Sequence, residues 1–274
     1  MVDPISELDR GDAVLRYRDL AGPRRPVVLT HGAGMDRRMF EVTARALHAA
    51  GYRVVDWDLR GHGESTLAAG TRFTAGAALD DLAALLDHLD LRRPVLVGHS
   101  LGGNLSQALV RRRPDRVGGL VVVDATWNAG PLTAAERLLL GLAAPALALV
   151  PASRLPSLMA RASAVTPRGV ADSAEVFGRM PKPVFLDVWR ATVSFVDPDP
   201  GYRTPVPLAL VRGERDRTGN IATAMPRWAA AEGVAEHVVP GAGHNVTLDA
   251  ADATAVLLRD IVDRWTEVDQ GAAP

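Results

Sequence analysis

The chain has 274 residues, a length that suits one large α/β domain with an insertion better than two unrelated domains. Hydrophobic residues make up 47% and charged residues 23% of it, and a net charge of -1 disfavours nucleic acid or an anionic membrane as a partner. The absence of cysteine excludes disulfides, thiol nucleophiles and Cys-bound metals, and no signal peptide is visible, so we expect a cytoplasmic protein.

Strands and helices alternate through the first half of the sequence. Short runs of β-favouring residues predict strands, and leucine and alanine residues at helical spacing predict the helices between them. The predicted strands of this half are 13–19, 26–30, 52–58, a run that ends at Ser100, and 117–123. Such alternation is typical of a mostly parallel sheet with right-handed crossovers, in which ligands bind at the carboxyl ends of the strands.

The alternation stops between residues 127 and 202. Helical patterns punctuated by prolines fill this stretch, at 133–150, 153–163, 168–180 and 182–195. The apolar run at 138–151 contains a glycine and a proline and is shorter than the roughly 18 to 20 residues that span a bilayer. We therefore expect a helical insertion with a lid helix, and no membrane span.

Strands and helices resume after the insertion. Strands are predicted at 207–212 and 236–240, with a helix at 221–232 between them. A last amphipathic helix carries Val256, Leu257, Ile261 and Trp265, and Asp249 is its predicted N-cap.

The strongest motif follows the strand near the middle of the chain. Gly98-His99-Ser100-Leu101-Gly102 fits G-x-S-x-G, in which a serine occupies a strained strand-to-helix turn and the glycines permit close approach of the two backbones. Ser100 is therefore the candidate nucleophile. The Leu101 amide lies at the positive end of the helix dipole, so it is a candidate donor to a developing oxyanion.

Three further candidates follow other predicted strands. The loop after the strand 26–30 contains Ala33, whose amide is the candidate second oxyanion donor. Asp216 and His244 each follow a strand of the second half. A serine hydroxyl needs a base, a histidine can take and return its proton, and a carboxylate fixes the histidine tautomer. The three residue types in this order predict a Ser-His-Asp catalytic triad.

These features together resemble the α/β-hydrolase superfamily, in its capped, serine esterase-like branch, over residues 10–265. The loop 58–65 adds to the likeness, since it is similar to the family motif D-x-R-G-x-G-x-S. The resemblance implies an α/β fold with a mostly parallel, eight-stranded sheet and helices on both faces. The core would comprise 1–126 and 203–274, and the helical cap 127–202.

The resemblance also implies a role for each candidate residue. Ser100 would be the nucleophile, His244 the base and Asp216 the acid, with the two candidate amides as the oxyanion hole. Some family members carry the acid after an earlier strand, where Asp124 is available, so Asp124 is the alternative acid.

A serine at the turn argues against the aspartate-dependent dehalogenases and epoxide hydrolases that share this fold. The predicted reaction is hydrolysis of a carboxylic ester, thioester or lactone of a small to medium, largely apolar substrate through an acyl-enzyme, with no cofactor or metal. The alternatives are a carbon-carbon bond hydrolase or lyase, a cofactor-free haloperoxidase-like enzyme, or a ligand-binding receptor with vestigial hydrolase activity. The expected partner is the small substrate itself, and the sequence sets no oligomeric state.

Eight side chains are predicted to contribute to the substrate pocket, because they adjoin the motifs or occupy apolar positions of the insertion. They are His31, Met35, His99, Trp127, Leu138, Leu142, Phe177 and Trp189. The two histidines flank the site, and we expect them to shape its walls rather than to transfer protons.

Overall fold

A computed structural model describes residues 4–271, which contain nine strands and ten α-helices. The strands are β1 (Ser6–Asp9), β2 (Ala13–Leu20), β3 (Arg24–Thr30), β4 (Tyr52–Trp57), β5 (Thr66–Leu67), β6 (Val95–His99), β7 (Gly119–Val123), β8 (Leu208–Gly213) and β9 (Glu236–Val239). The helices are α1 (Glu41–Ala49), α2 (Ala75–His88), α3 (Leu101–Arg112), α4 (Ala134–Leu149), α5 (Leu155–Ser163), α6 (Pro167–Arg179), α7 (Lys182–Ser194), α8 (Ile221–Glu232), α9 (Val246–Asp249) and α10 (Ala251–Gly271).

The strands form one sheet in the order β1-β2-β4-β3-β6-β7-β8-β9, and β5 pairs with β2. The six strands from β4 to β9 along this order are parallel, whereas β1, β2 and β5 pair antiparallel at one side. The predicted mostly parallel α/β sheet is therefore confirmed. The described residues contain one strand more than the eight expected, because the two residues of β5 add a short pairing to β2.

Helices cover both faces of the sheet. Leu47 of α1 and Ile261 of α10 are buried in the core on one face, and Leu82 of α2, Leu105 of α3 and Trp228 of α8 are buried on the other. Because both faces are covered, β6 and β7 are buried along their whole length and consist almost entirely of apolar residues. The loops that follow the parallel strands meet at one edge of the sheet.

Four helices, α4 to α7, lie between β7 and β8 in the chain. Their bounds differ by at most two residues from the helices predicted for this segment. The outer face of α4 exposes Leu138, Leu139, Leu142 and Leu149. Across residues 4–271, no helix is both long and apolar enough to cross a bilayer.

Ion pairs and backbone hydrogen bonds fix the loop after β4. Arg60 donates through Nε and Nη2 to the buried Asp81 of α2, at 2.6 and 2.7 Å. Asp58 accepts from the backbone amides of Arg37 and Glu64, at 2.7 and 3.0 Å. The two carboxylates thus hold the strand-end loops after β3 and β4 in fixed positions.

Candidate active site

Ser100 occupies the turn between β6 and α3. Its backbone has φ of +50° and ψ of -116°, a conformation that residues with a side chain rarely adopt. A Cβ atom on Gly98 would lie 2.3 Å from the carbonyl oxygen of Gly102, and one on Gly102 would lie 2.2 Å from that of Thr30. Both glycines of the motif are therefore required by the close approach of strand, helix and neighbouring strand.

The two candidate oxyanion donors follow neighbouring strands. Leu101 opens α3, and Ala33 lies in the loop after β3, which pairs with β6. The Met35 amide donates to the Gly32 carbonyl oxygen at 3.1 Å and closes the turn around Ala33. Within residues 4–271, the Leu101 and Ala33 amides donate to no protein acceptor. Two unpaired amides beside a helix N-terminus can stabilise a negative oxygen.

His244 and Asp216 form a buried pair at the ends of β9 and β8. His244 Nδ1 lies 3.0 Å from Asp216 Oδ2, and the Thr218 amide donates to Asp216 Oδ1 at 2.7 Å. Burial alone would raise the pKa of Asp216, but the charge and hydrogen bond of His244 and the Thr218 amide lower that pKa to about 2. Asp216 is therefore an ionised acceptor for a proton on His244 Nδ1, an arrangement that would leave Nε2 of a neutral imidazole able to accept a proton.

The other histidines near the site are held neutral. Burial, together with the nearby His244, lowers the pKa of His99 to about 3, and burial also lowers the pKa of His31 and of His62. His99 Nε2 donates to the backbone carbonyl oxygen of His244 at 2.9 Å. His99 thus positions the loop that carries His244, and these three histidines are poor candidates for proton transfer.

Asp124 lies directly after β7 and beside this pair. Its Oδ1 accepts from the Gly213 amide at 2.8 Å. Asp124, Asp216 and His244 each offer one potential metal-ligand atom, and these atoms lie within 4.8 Å of one another. His244 and Asp216 already hydrogen bond to each other. The geometry of the three residues therefore suits a hydrogen-bonded network better than a metal site. The direct partner of His244 is Asp216, the first choice for the acid.

Ser100 and His244 line the same cavity, which has a volume of about 420 Å³. Five of the other predicted residues also line it, namely Ala33, Met35, His99, Phe177 and Trp189. The structure thus brings Ser100, His244 and four of the eight predicted pocket residues together at one cavity.

The structure places the four remaining predicted pocket residues elsewhere. Leu138 and Leu142 are 63% and 51% exposed, because α4 turns the side that carries Ala143 and Leu147 to the cavity. His31 is buried beneath the site, where its Nε2 accepts from the Leu59 amide at 3.0 Å. Trp127 stacks on Trp228 with ring centroids 5.9 Å apart, at a separate cavity of about 340 Å³.

Several lining residues were missed. α4 contributes Ala143 and Ala146, and Met159 of α5 and Asn245 also line the cavity. The alanines of α4 gave no signal, because alanines and leucines lie on every side of this helix. Asn245 directly follows His244, so its position in the sequence was an available signal.

Asp249 ties the His244 loop to α6. Its carboxylate accepts from the Gly243 amide at 2.9 Å, from the Val165 amide at 3.0 Å, and from the amide and hydroxyl of Thr166 at 2.9 and 2.7 Å. The predicted N-cap role in the last helix is therefore corrected. Asp249 ends α9 and turns back towards the start of α6, away from α10.

We expect Asp249→Ala to lower the melting temperature by about 4 to 8 °C, because four donors lose a charged acceptor and a net loss of about 2 kcal/mol shifts the melting temperature of a large domain by that much. The measurement is thermal unfolding followed by circular dichroism. Asp260→Ala, which removes a carboxylate bonded to Arg259 on the exposed side of α10, is the matched control. Equal melting temperatures for the two variants would show that the tie contributes no stability.

A mostly parallel sheet with a serine, a carboxylate and a histidine gathered at its strand ends is an α/β enzyme architecture. The family model of the α/β hydrolase fold matches residues 25–251. The chain belongs to the α/β-hydrolase family. A malate-bound thermophilic esterase from Thermogutta terrifontis has the same fold, with a TM-score of 0.78 and 24% identity over 96% of this chain and 99% of that one.

Curated relatives match over a shorter stretch. A non-heme chloroperoxidase from Kitasatospora aureofaciens is 40% identical over 111 residues, which cover 40% of this chain and 39% of the relative. A 2-hydroxy-6-oxononadienedioate/2-hydroxy-6-oxononatrienedioate hydrolase from Paraburkholderia xenovorans is 35% identical over 118 residues, or 41% of this chain and 40% of the relative. The chain thus spans about two-fifths or less of the curated relatives it matches.

Proposed function

We propose that this hydrolase cleaves a carboxylic ester, thioester or lactone through a covalent acyl-enzyme on Ser100. The observation that carries the proposal is the meeting of three features at one cavity. Ser100 is held at positive φ on the strand-to-helix turn, His244 lines the same cavity, and His244 Nδ1 contacts an ionised Asp216.

In the proposed reaction, His244 Nε2 takes the Ser100 proton as the hydroxyl oxygen attacks the substrate carbonyl carbon. The Leu101 and Ala33 amides stabilise the oxyanion of the tetrahedral intermediate. His244 then protonates the leaving group, and the acyl-enzyme forms. A water molecule deprotonated by His244 attacks the acyl carbon. His244 returns this proton to Ser100 Oγ as the bond between Oγ and the acyl carbon breaks, and the carboxylic acid leaves. Asp216 stays ionised and stabilises the imidazolium in both halves.

The cavity supports an apolar substrate of limited size. Met35, Leu147, Met159, Phe177 and Trp189 contribute apolar surface to it. Its volume of about 420 Å³ is at the lower end of the range for small-molecule sites. We also propose that residues 127–202 act as a cap over the strand ends, because helices α4 to α7 all contribute lining residues.

A second candidate is hydrolysis of a carbon-carbon bond in an acidic substrate on the same three residues. Arg217 lines the cavity and donates to the backbone carbonyl oxygen of Asp216 at 3.1 Å, so a cation is present where a substrate carboxylate could bind. The relative from Paraburkholderia xenovorans is named for a dienedioate substrate, which is acidic and of the kind that Arg217 could bind.

Hydrolysis of p-nitrophenyl acetate, butyrate, octanoate and laurate tests the first proposal. We expect kcat/KM to be highest for the short or medium chains and to fall for laurate, which is long for a cavity of about 420 Å³. The acidic dienedioate named above is assayed alongside the esters. Turnover of the dienedioate with no turnover of any ester would overturn the first candidate and support the second.

A further inference from the structure

Two carboxyl groups from different strand ends share one buried site. Asp124 follows β7 and is fully buried, and Asp216 follows the neighbouring strand β8 and is 1% exposed. One carboxyl oxygen of Asp124 lies within 4.8 Å of one carboxyl oxygen of Asp216. Two adjacent negative charges in a buried site repel strongly, so both groups cannot remain ionised without a compensating cation.

The hydrogen bonds assign different states to the two carboxyl groups. Asp216 accepts from His244 and from the Thr218 amide, which uses both of its oxygens in bonds that favour the charge. Within residues 4–271, Asp124 accepts one hydrogen bond, from the Gly213 amide to Oδ1. Its Oδ2 is buried and meets no donor among the residues that the structure describes.

The charged groups around Asp124 do not compensate it. The charge of Arg212 of β8 favours the ionised form of Asp124, but Arg212 Nε donates to Glu236 of β9 at 2.8 Å. His244, from the loop after β9, directs Nδ1 to Asp216. Burial raises the pKa of Asp124 well above its usual value, and the Asp216 charge raises it further.

We propose that Asp124 is a protonated positioning residue whose Oδ2–H donates to the Asp216 carboxylate and holds that carboxylate in line with His244 Nδ1. The proton gives the buried oxygen a partner and removes the repulsion between the carboxyl groups. Asp124 thereby acts through Asp216 and never contacts substrate. A neutral carboxyl group that serves as a hydrogen-bond donor thus links β7 to the site.

The protonation state can be tested without any substrate. A carboxyl group that is protonated in the folded state and ionised in the unfolded state binds one proton more when folded, so stability falls as pH rises above the unfolded value near 3.8. Asp124→Asn removes this dependence. Asparagine also tolerates the φ of +43° at this position and keeps an N–H donor for Asp216.

Urea unfolding at pH 5, 6, 7 and 8 gives the unfolding equilibrium constants of wild type and Asp124→Asn. We divide the unfolding equilibrium constant of the wild type by that of the variant at each pH. This ratio is expected to rise by up to about tenfold per pH unit, because folding of the wild type is linked to the binding of one proton. Asp260→Asn, on the exposed side of α10, provides the baseline for the loss of one carboxyl group. A ratio that stays flat or falls would show that Asp124 is ionised in the folded protein and would overturn the proposal.

The positioning role rests on the proposed function and is tested by activity. We expect kcat of Asp124→Asn to exceed that of Asp124→Gly by about tenfold or more, with similar KM, because only asparagine keeps the donor and a bond to a charged acceptor is worth that much. Glycine is chosen because it accommodates positive φ. Equal kcat for the two variants would overturn the positioning role. If no substrate is turned over at all, the proposed function fails, while the unfolding ratio still decides the protonation state.

Discussion

Replacement of Ser100 by alanine is expected to lower kcat for ester hydrolysis by about 10⁴- to 10⁶-fold, the loss seen when the nucleophile of a serine hydrolase is removed. The remaining donors and the cavity would still bind substrate, so KM should change far less than kcat. The measurement is the initial rate of release of p-nitrophenolate from the best ester of the chain-length series.

Two further variants separate chemistry from folding in this experiment. Because Ser100 has φ of +50°, Ser100→Gly avoids the backbone strain that alanine meets and should show the same loss. Ser106→Ala is the matched control, since Ser106 lies in α3, directly after the turn that holds Ser100, and its hydroxyl donates to the Gly102 carbonyl oxygen at 2.8 Å. Near-normal turnover in folded Ser100→Ala or Ser100→Gly would contradict the acyl-enzyme.

Replacement of Asp216 by asparagine is expected to lower kcat by about 10³- to 10⁴-fold, as loss of the carboxylate partner of a catalytic histidine does. The change removes the negative charge that stabilises the imidazolium, and it lets His244 Nδ1 meet an amide N–H. The measurement is kcat at pH 7 to 8 on the same ester, with melting temperatures recorded to verify folding.

Glu214→Gln is the matched control for Asp216→Asn. Glu214 lies in the same loop and accepts from the Gly241 amide at 2.8 Å, but its carboxylate is exposed, so its amide variant should keep turnover. The assignment of the acid is contradicted if Asp216→Asn remains active while Asp124→Asn loses turnover. That result would move the acid to the end of β7.

Prediction from the sequence was most accurate for strands that are buried on both faces and therefore consist of apolar residues. The parallel strands β6 and β7 consist almost entirely of buried apolar residues, and the runs that predicted them lie at the observed positions. β1, with the sequence Ser-Glu-Leu-Asp, escaped prediction because it is an edge strand with mostly exposed, charged side chains. β5 has two residues, which is too short for a periodic pattern.

The orientation of α4 could not be predicted from its sequence. Leucines and alanines surround this helix on all sides, so no polar face indicates which residues point outward. The prediction therefore selected the large leucines Leu138 and Leu142, whereas small side chains at Ala143 and Ala146 border the cavity. Packing against α7 and the cavity, rather than local pattern, sets this orientation.

Contacts between residues that are far apart in the chain could not be predicted from the sequence either. Both Asp124 and Asp216 were recognised at strand ends, as alternatives for one role. That the two carboxyl groups adjoin each other depends on the pairing of β7 with β8, where Val123 lies opposite Val211. The stacking of Trp127 on Trp228 and the hydrogen bonds that Thr166 donates to Asp249 depend on three-dimensional packing in the same way.

The pairing of β7 with β8 also bears on how such a protein can diversify. The chain leaves the sheet after β7 and returns on the adjacent strand, so the intervening helices begin and end at neighbouring points. A segment anchored in this way can be exchanged for one of another length at little entropic cost, because closure entropy grows slowly with length. A grafted segment would change substrate preference while Ser100 and His244 stay in place. It would need to supply hydrogen-bond donors for Asp249, as Val165 and Thr166 now do.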